Sequence, residues 1–150
     1  MALNDAFSAG QVLTASEMNN LPFGVVERTE RTAGNVNITT TLADLTGMSL
    51  TFTAVSTRIY KISWHLFILN NTSAHSTFIY LTDGSNNIKT VSGQYAASGL
   101  RASAAGFWFT SGISGSTTYK LRGAATADTS TMSGTSGESA VFMIEDIGLA

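Results

Sequence analysis

Apolar and polar residues alternate along most of this chain with a period of two. The alternation is clearest at Tyr60, Ile62, Trp64, Leu66 and Ile68, each of which is followed by a residue of the opposite face. Successive side chains of a strand point to opposite faces, so the pattern predicts a long strand from Ile59 to Leu69 with one buried face. A helix would need apolar residues every three to four positions, and no long stretch after Gly24 has that spacing.

The remaining chain is predicted to consist of short strands separated by turns. Turn residues such as those of Asp83-Gly84-Ser85-Asn86-Asn87 divide the apolar segments. Stretches from Ser111 to Thr117 and from Ala124 to Glu138 are poor in large apolar residues and are interpreted as loops. A chain of 150 residues suits one domain, and this strand count predicts an all-β, antiparallel sandwich or barrel. Further strands are predicted at Val25 to Arg31, Val36 to Leu42, Met48 to Ala54, Phe78 to Leu81, Ile88 to Tyr95, Leu100 to Thr110, Thr118 to Gly123 and Val141 to Asp146.

Composition excludes several classes of partner. Charged residues make up only 12% of the chain, and 21 Thr with 18 Ser supply the polar surface instead. A net charge of -2 offers no basic cluster to neutralise phosphates, so we expect no nucleic acid partner. No apolar run approaches the roughly 18 residues that span a bilayer, so no membrane insertion is expected. The segment from Met1 to Gly10 lacks the regions of a secretory signal, and we expect synthesis in a cytoplasm.

The first residues differ from the rest and are predicted to form an anchoring arm, residues 1–24, before a sandwich domain, residues 25–150. Thr14 and Glu17 have the spacing of a capping box, which predicts a short helix from Ala15 to Asn20 that Pro22 ends. So short a helix is marginal alone in water, so its apolar residues need a partner, either this chain's own body or another protein. The apolar candidates for that contact are Phe7, Val12, Leu13, Met18, Leu21 and Phe23.

Residues for catalysis or metal binding are scarce. With no Cys and only His65 and His75, the chain lacks the three or four ligands of a zinc site, and we expect no metal or cofactor. His65 falls opposite the Trp64 face and is expected at the surface or an interface, whereas His75 lies in a polar turn and is expected to be exposed. No nucleophile-elbow spacing occurs, and the adjacent acids Glu145 and Asp146 would point to opposite faces. We therefore expect no enzyme and name no catalytic residue.

Both ends of the chain resemble a known group of proteins. The segment from Phe7 to Val26 resembles a leader found in small virion proteins of tailed bacteriophages, of the minor tail, tail fibre or head-decoration type. The segment from Val141 to Gly148 resembles the closing strand of the same group. Between them, the strand count and the aromatic segments Tyr60 to Leu69 and Phe107 to Thr110 resemble trimeric jelly rolls of the C1q and tumour-necrosis-factor type.

The resemblance implies a virion structural protein, a homotrimeric jelly roll attached to the capsid or tail by its arm. Its partners would be its own copies and other virion proteins, and its location the virion. Threefold closure would bury the apolar residues left on an outer sheet face, for which His65, Phe67 and Leu69 are the candidates. The alternative is a tip module that binds a receptor or host-cell glycan during adsorption, with Trp108 or Tyr119 stacking on a sugar ring.

Overall fold

The computed structural model describes residues 21–135 and 137–150, and within them the regular structure is entirely β. The predicted helix with its cap residues Thr14 and Glu17 lies outside the described residues. In the part that is described, no helix could cross a membrane. The strands are β1 (Gly24–Arg31), β2 (Val36–Ile38), β3 (Ala43–Ala54), β4 (Arg58–Asn70), β5 (His75–Asp83), β6 (Ile88–Ala96), β7 (Arg101–Thr110), β8 (Gly115–Ala125), β9 (Ser130–Met132) and β10 (Ala140–Leu149).

The strands form two antiparallel sheets that pack face to face. One sheet, named the β4 sheet, has the order β1-β10-β4-β7. The short strand β9 pairs with the last three residues of β4, and β2 pairs with β9. The other, named the β5 sheet, has the order β3-β8-β5-β6. Chain neighbours therefore often lie in opposite sheets, as in a jelly roll. The predicted antiparallel sandwich is confirmed.

The core lies between the inner faces of the two sheets. In β4 the residues at even positions are buried and those at odd positions are only partly so, as the alternation predicts. Trp64 closes one edge of the core, because its ring lies over Gly106 of β7 and its Nε1 donates to Ser92 Oγ of β6 at 3.2 Å. A Cβ atom at Gly106 would lie 2.3 Å from the ring, so only glycine fits beneath it. The largest fully buried side chains are Tyr60, Phe142, Ile38, Met48, Ile62, Leu66, Ile68, Ile79, Leu81, Leu121, Met132 and Ile144.

Several predicted boundaries move. Strand β2 ends at Ile38 rather than Leu42, and β8 begins at Gly115, inside a predicted loop. The second predicted loop contains β9, which is buried although it carries Ser130 and Thr131. The short polar side chains of β9 are buried because they form hydrogen bonds, not because they are apolar. A search for hydrophobic periodicity therefore could not detect this strand.

The sandwich has two distinct ends. Gly24 pairs with Asp146, and Asp146 with Tyr60, so β1 starts, β10 finishes and β4 starts at the same end. We call it the arm end, because the described residues begin there, at Leu21. The opposite end, the distal end, carries the connections 71–74, 97–100 and 126–129. Residues 21–23 and the distal connections are therefore separated by the full length of the strands.

Candidate interaction surfaces

The outer side of β4 carries the three residues predicted to form an interface. His65, Phe67 and Leu69 are half-buried and point away from the core, because the even positions between them point inward. The His65 ring meets the Phe67 ring edge-on, with centroids 4.8 Å apart. The structure thus brings the three side chains together on one face, and their part in an interface stays a prediction.

Neighbouring strands extend this surface with residues that sequence reasoning did not select. On β7, Phe107 pairs with Ser63 and Phe109 with Lys61, and their side chains are 61% and 48% exposed. On β10, Val141 lies opposite His65. The register between the strands, which joins these residues, is not visible in the sequence. We call the resulting surface the apolar face: His65, Phe67, Leu69, Phe107, Phe109, Val141 and Met143.

Charged pairs border the apolar face. Lys61 and Glu145 are 3.1 Å apart on adjacent strands, on the arm side of the face. Arg101 pairs with Glu138 on the distal side. Apolar residues grouped on one sheet face and bordered by polar residues are a usual composition of a protein interaction site. The arrangement therefore suits contact with another protein surface.

The two aromatic residues predicted to stack on a ligand lie in different environments. Trp108 is 37% exposed on the edge strand β7. Tyr119 is only 3% exposed, because it points inward from β8. This corrects the expectation for Tyr119, whose ring has no free face to offer a sugar, and only Trp108 of the pair reaches the surface.

A second aromatic surface covers part of the outer side of the β5 sheet. Phe78 and Tyr80 point outward from β5, whereas Ile79 and Leu81 point into the core. The Phe78 ring lies against Gly93 of β6, where a Cβ atom would be 2.9 Å from two ring carbons. Tyr95, which is 68% exposed, lies beyond Gly93 on the same strand. We call Phe78, Tyr80, Val91 and Tyr95 the aromatic patch.

Beneath the distal end lies a buried hydrogen-bond network centred on Asn70. The Asn70 amide nitrogen donates to the carbonyl oxygens of His75 and Ala96, both at 2.8 Å. Its oxygen accepts from Ser130 Oγ at 3.1 Å. These contacts join the connections β4-β5, β6-β7 and β8-β9. The network holds the distal connections in fixed relative positions, because buried polar groups are costly to leave unpaired.

His75 belongs to this network and is not exposed as expected. It is 3% exposed, with Nδ1 2.9 Å from the Ser73 carbonyl oxygen and Nε2 2.7 Å from Ser130 Oγ. Ser73 also donates from its hydroxyl to the Asp128 carboxylate, and this hydrogen bond is the largest cause of the lowered pKa of Asp128. A serine beside a histidine can act as a nucleophile, but Ser130 is 0% exposed and no substrate can reach it in this conformation.

The arm end contains the last described residues of the predicted anchor. Phe7, Val12, Leu13 and Met18 lie outside the described residues. Leu21 and Phe23 are 42% and 65% exposed, and both contact Arg58. Among the residues that the structure describes, no three His, Cys, Asp or Glu side chains are grouped so as to hold a metal ion.

Comparison with known proteins gives a likeness of fold. No family model and no curated protein sequence matches the chain. The Eiger TNF of S. frugiperda has a similar structure, with 12% identity and a TM-score of 0.51 over 85% of this chain and 94% of that one. At this identity the likeness shows the fold alone, a TNF-like jelly roll.

Viral structures show weaker likeness. A structure of infectious bursal disease virus Gx strain matches at 13% identity and a TM-score of 0.40, over 87% of this chain and 32% of that one. The enzymatically active domain of bacteriophage CBA120 tailspike protein 4 matches at 13% identity and a TM-score of 0.30, over 85% of this chain and 19% of that one. Scores this low carry no argument about function.

Proposed function

We propose that this protein is a non-enzymatic structural component of a tailed-bacteriophage virion. In this proposal three copies of the jelly roll associate, and the N-terminal arm attaches them to the capsid or tail. The association of copies is supported by the apolar face, and the virion location by the resemblance of the segment from Phe7 to Val26 to phage virion leaders. The protein would act by binding its own copies and other virion proteins, with no cofactor.

The observation that carries the proposal is the exposure of the apolar face. Burying apolar surface contributes about 25 cal/mol per Å², and Phe107 and Phe109 alone expose about half or more of their side chains. A rotationally closed assembly lets every copy bury the same face, so none is left open to further growth. Three copies rather than two is the number that the resemblance to C1q-like and TNF-like jelly rolls implies.

The mass of the assembly in solution tests the association. Light scattering of the full chain should give the mass of three copies, and Phe107→Ser or Phe67→Ser should give a smaller mass because each introduces a polar group into the apolar face. The matched control is Tyr95→Ser, which removes a still more exposed ring from the opposite sheet and should leave the mass unchanged. A wild-type mass of one copy would contradict the association.

A substitution in the arm tests attachment separately. The triple variant Val12→Ser, Leu13→Ser, Met18→Ser should keep the assembled mass but be absent from particles of the phage that encodes it. Quantitative mass spectrometry of purified particles measures its occupancy. Normal occupancy of the triple variant would show that the arm is not the anchor.

A second candidate function is recognition of a host-cell glycan, and the aromatic patch favours it. Exposed aromatic rings present flat apolar surfaces that can stack on sugar rings. Tyr95→Ala and Trp108→Ala should each weaken glycan binding by the purified protein if their rings contribute, whereas Phe107→Ala on the apolar face should not. Absence of wild-type binding on a glycan array, with no adsorption to host cells, would count against this function.

A further inference from the structure

A buried arginine at the arm end joins the last arm residues to the sandwich. The Arg58 guanidinium donates to both Asp146 carboxylate oxygens, from Nε at 2.7 Å and from Nη2 at 2.6 Å. The same Nη2 donates to the Leu21 carbonyl oxygen at 2.6 Å. The Phe23 ring lies over the guanidinium, with its centroid 4.3 Å from Cζ. One side chain therefore contacts β10 and the arm at once.

The environment of this arginine makes these contacts mutually dependent. The side chains of Arg58 and Asp146 are only 4% and 3% exposed. A buried ion pair is tolerated where its remaining hydrogen-bonding groups are satisfied, because removing two charges from water is costly. Asp146 also accepts from the Gly148 amide at 2.9 Å, and Leu21 and Phe23 provide an acceptor and a ring face to Arg58. If Leu21 and Phe23 moved away, the guanidinium would lose an acceptor and a ring face that help to offset the cost of its burial.

Residues 21–23 precede the first strand. Strand β1 begins at Gly24, whose φ of +78° turns the chain, so these three residues lie outside the sheet hydrogen bonds. Pro22 restricts their backbone further. Leu21 and Phe23 are nevertheless held by Arg58 while much of their side chains faces solvent. We call Leu21, Pro22 and Phe23 the strap.

We propose that Arg58 clamps the strap to the sandwich, so that the arm leaves the body at a fixed point and its position is coupled to the Arg58–Asp146 pair. The clamp itself does not depend on the proposed function. Its role does, because the clamp would transmit the orientation of an attached arm to the jelly roll. The clamp assigns Leu21, Pro22 and Phe23 to the sandwich body rather than to the arm that the sequence predicts over residues 1–24. Truncation at Gly24 would then expose a buried cation and destabilise the body.

The mobility of a spin label on the strap tests the clamp. The chain has no native Cys, so Leu21→Cys provides a single labelling site and leaves the clamped backbone carbonyl in place. In this full-length background, Arg58→Met with Asp146→Leu removes both charges together. We expect the label to be immobile in the parent and severalfold faster in the double variant. The matched control is Lys61→Met with Glu145→Leu, which removes a partly exposed pair between the same two strands.

The outcomes separate the clamp from the proposed assembly. A label that stays immobile in the folded double variant, or that becomes equally mobile in the control, would overturn the clamp. If circular dichroism shows the double variant unfolded, Phe23→Ala and Arg58→Lys replace it, and immobility in both would overturn it likewise. Light scattering of the same samples reports the assembled mass, so loss of the trimer proposal would leave the label result standing.

Discussion

At the scale of single residues, a few buried polar side chains fix the relative positions of the distal connections. Asn70 is 0% exposed and joins three connections through its side chain. An apolar residue of similar size would fill the space but would leave the His75 and Ala96 carbonyl oxygens without their donor. Each buried polar group left unpaired costs about 1–3 kcal/mol. Position 70 therefore requires an amide side chain, and an apolar side chain of the same volume is not sufficient.

We expect Asn70→Leu to lower the free energy of unfolding by about 2–5 kcal/mol, because two buried carbonyl oxygens lose their partner. Urea denaturation followed by tryptophan fluorescence measures the change. Asn71→Leu is the matched control: Asn71 is exposed and its side chain donates to Thr131 Oγ1 at 2.8 Å, so a loss of about 1 kcal/mol or less is expected. Equal losses in the two variants would contradict the importance of the network.

At the scale of elements, the turn between β5 and β6 is organised by one carboxylate. Asp83 accepts hydrogen bonds from the amides of Ser85 and Asn87, both at 2.9 Å, and from the Asn87 side chain at 3.0 Å. Lys89 lies 3.0 Å away. The Asn87 side-chain hydrogen bond is the largest cause that holds the pKa of Asp83 well below its usual range, and Lys89 acts in the same direction.

This shift in pKa makes the stability of the hairpin depend on pH. Because the folded pKa of Asp83 lies below the unfolded value of about 3.8, the carboxylate stabilises the fold fully above that value and progressively less as the pH falls below it. Asp83→Asn should therefore lower the Tm at pH 7, with a difference from wild type that shrinks below about pH 4. Thermal melts by circular dichroism measure it, and a difference independent of pH would contradict the assignment.

At the scale of the whole molecule, the candidate interaction surfaces point in different directions. The apolar face lies on the β4 sheet, the aromatic patch on the β5 sheet and the strap at one end of the strands. Copies that associate through the apolar face would leave the aromatic patch facing outward. The proposed association, attachment and ligand recognition can thus each be tested by substitutions on a separate surface.

The proposed association through the apolar face would make thermal stability depend on protein concentration. If unfolding separates associated copies, the Tm rises with protein concentration, because mass action favours the assembled state. We expect this rise for the wild type and for Tyr95→Ser, and a lower, concentration-independent Tm for Phe107→Ser. Differential scanning calorimetry over a wide range of concentrations measures it. A wild-type Tm that does not change with concentration would contradict an assembled native state.

The pattern of the sequence determined the class of fold and the inner face of its central strand. A period of two assigns each residue of β4 to one side of a sheet, and burial of the bulkier set then follows from the hydrophobic effect. The same alternation correctly placed His65, Phe67 and Leu69 on the outer side. It could not find β9, whose Ser130 and Thr131 are buried by hydrogen bonds.

Only the tertiary structure decided which distant residues meet. Register joined Phe107 and Phe109 to the outer residues of β4, and folding buried His75 beneath the distal end. The pairing of β10 with β4 in one sheet brought Arg58 to Asp146. Local periodicity records which side of a strand a residue occupies, whereas register, sheet order and polar partners depend on contacts between segments far apart in the chain.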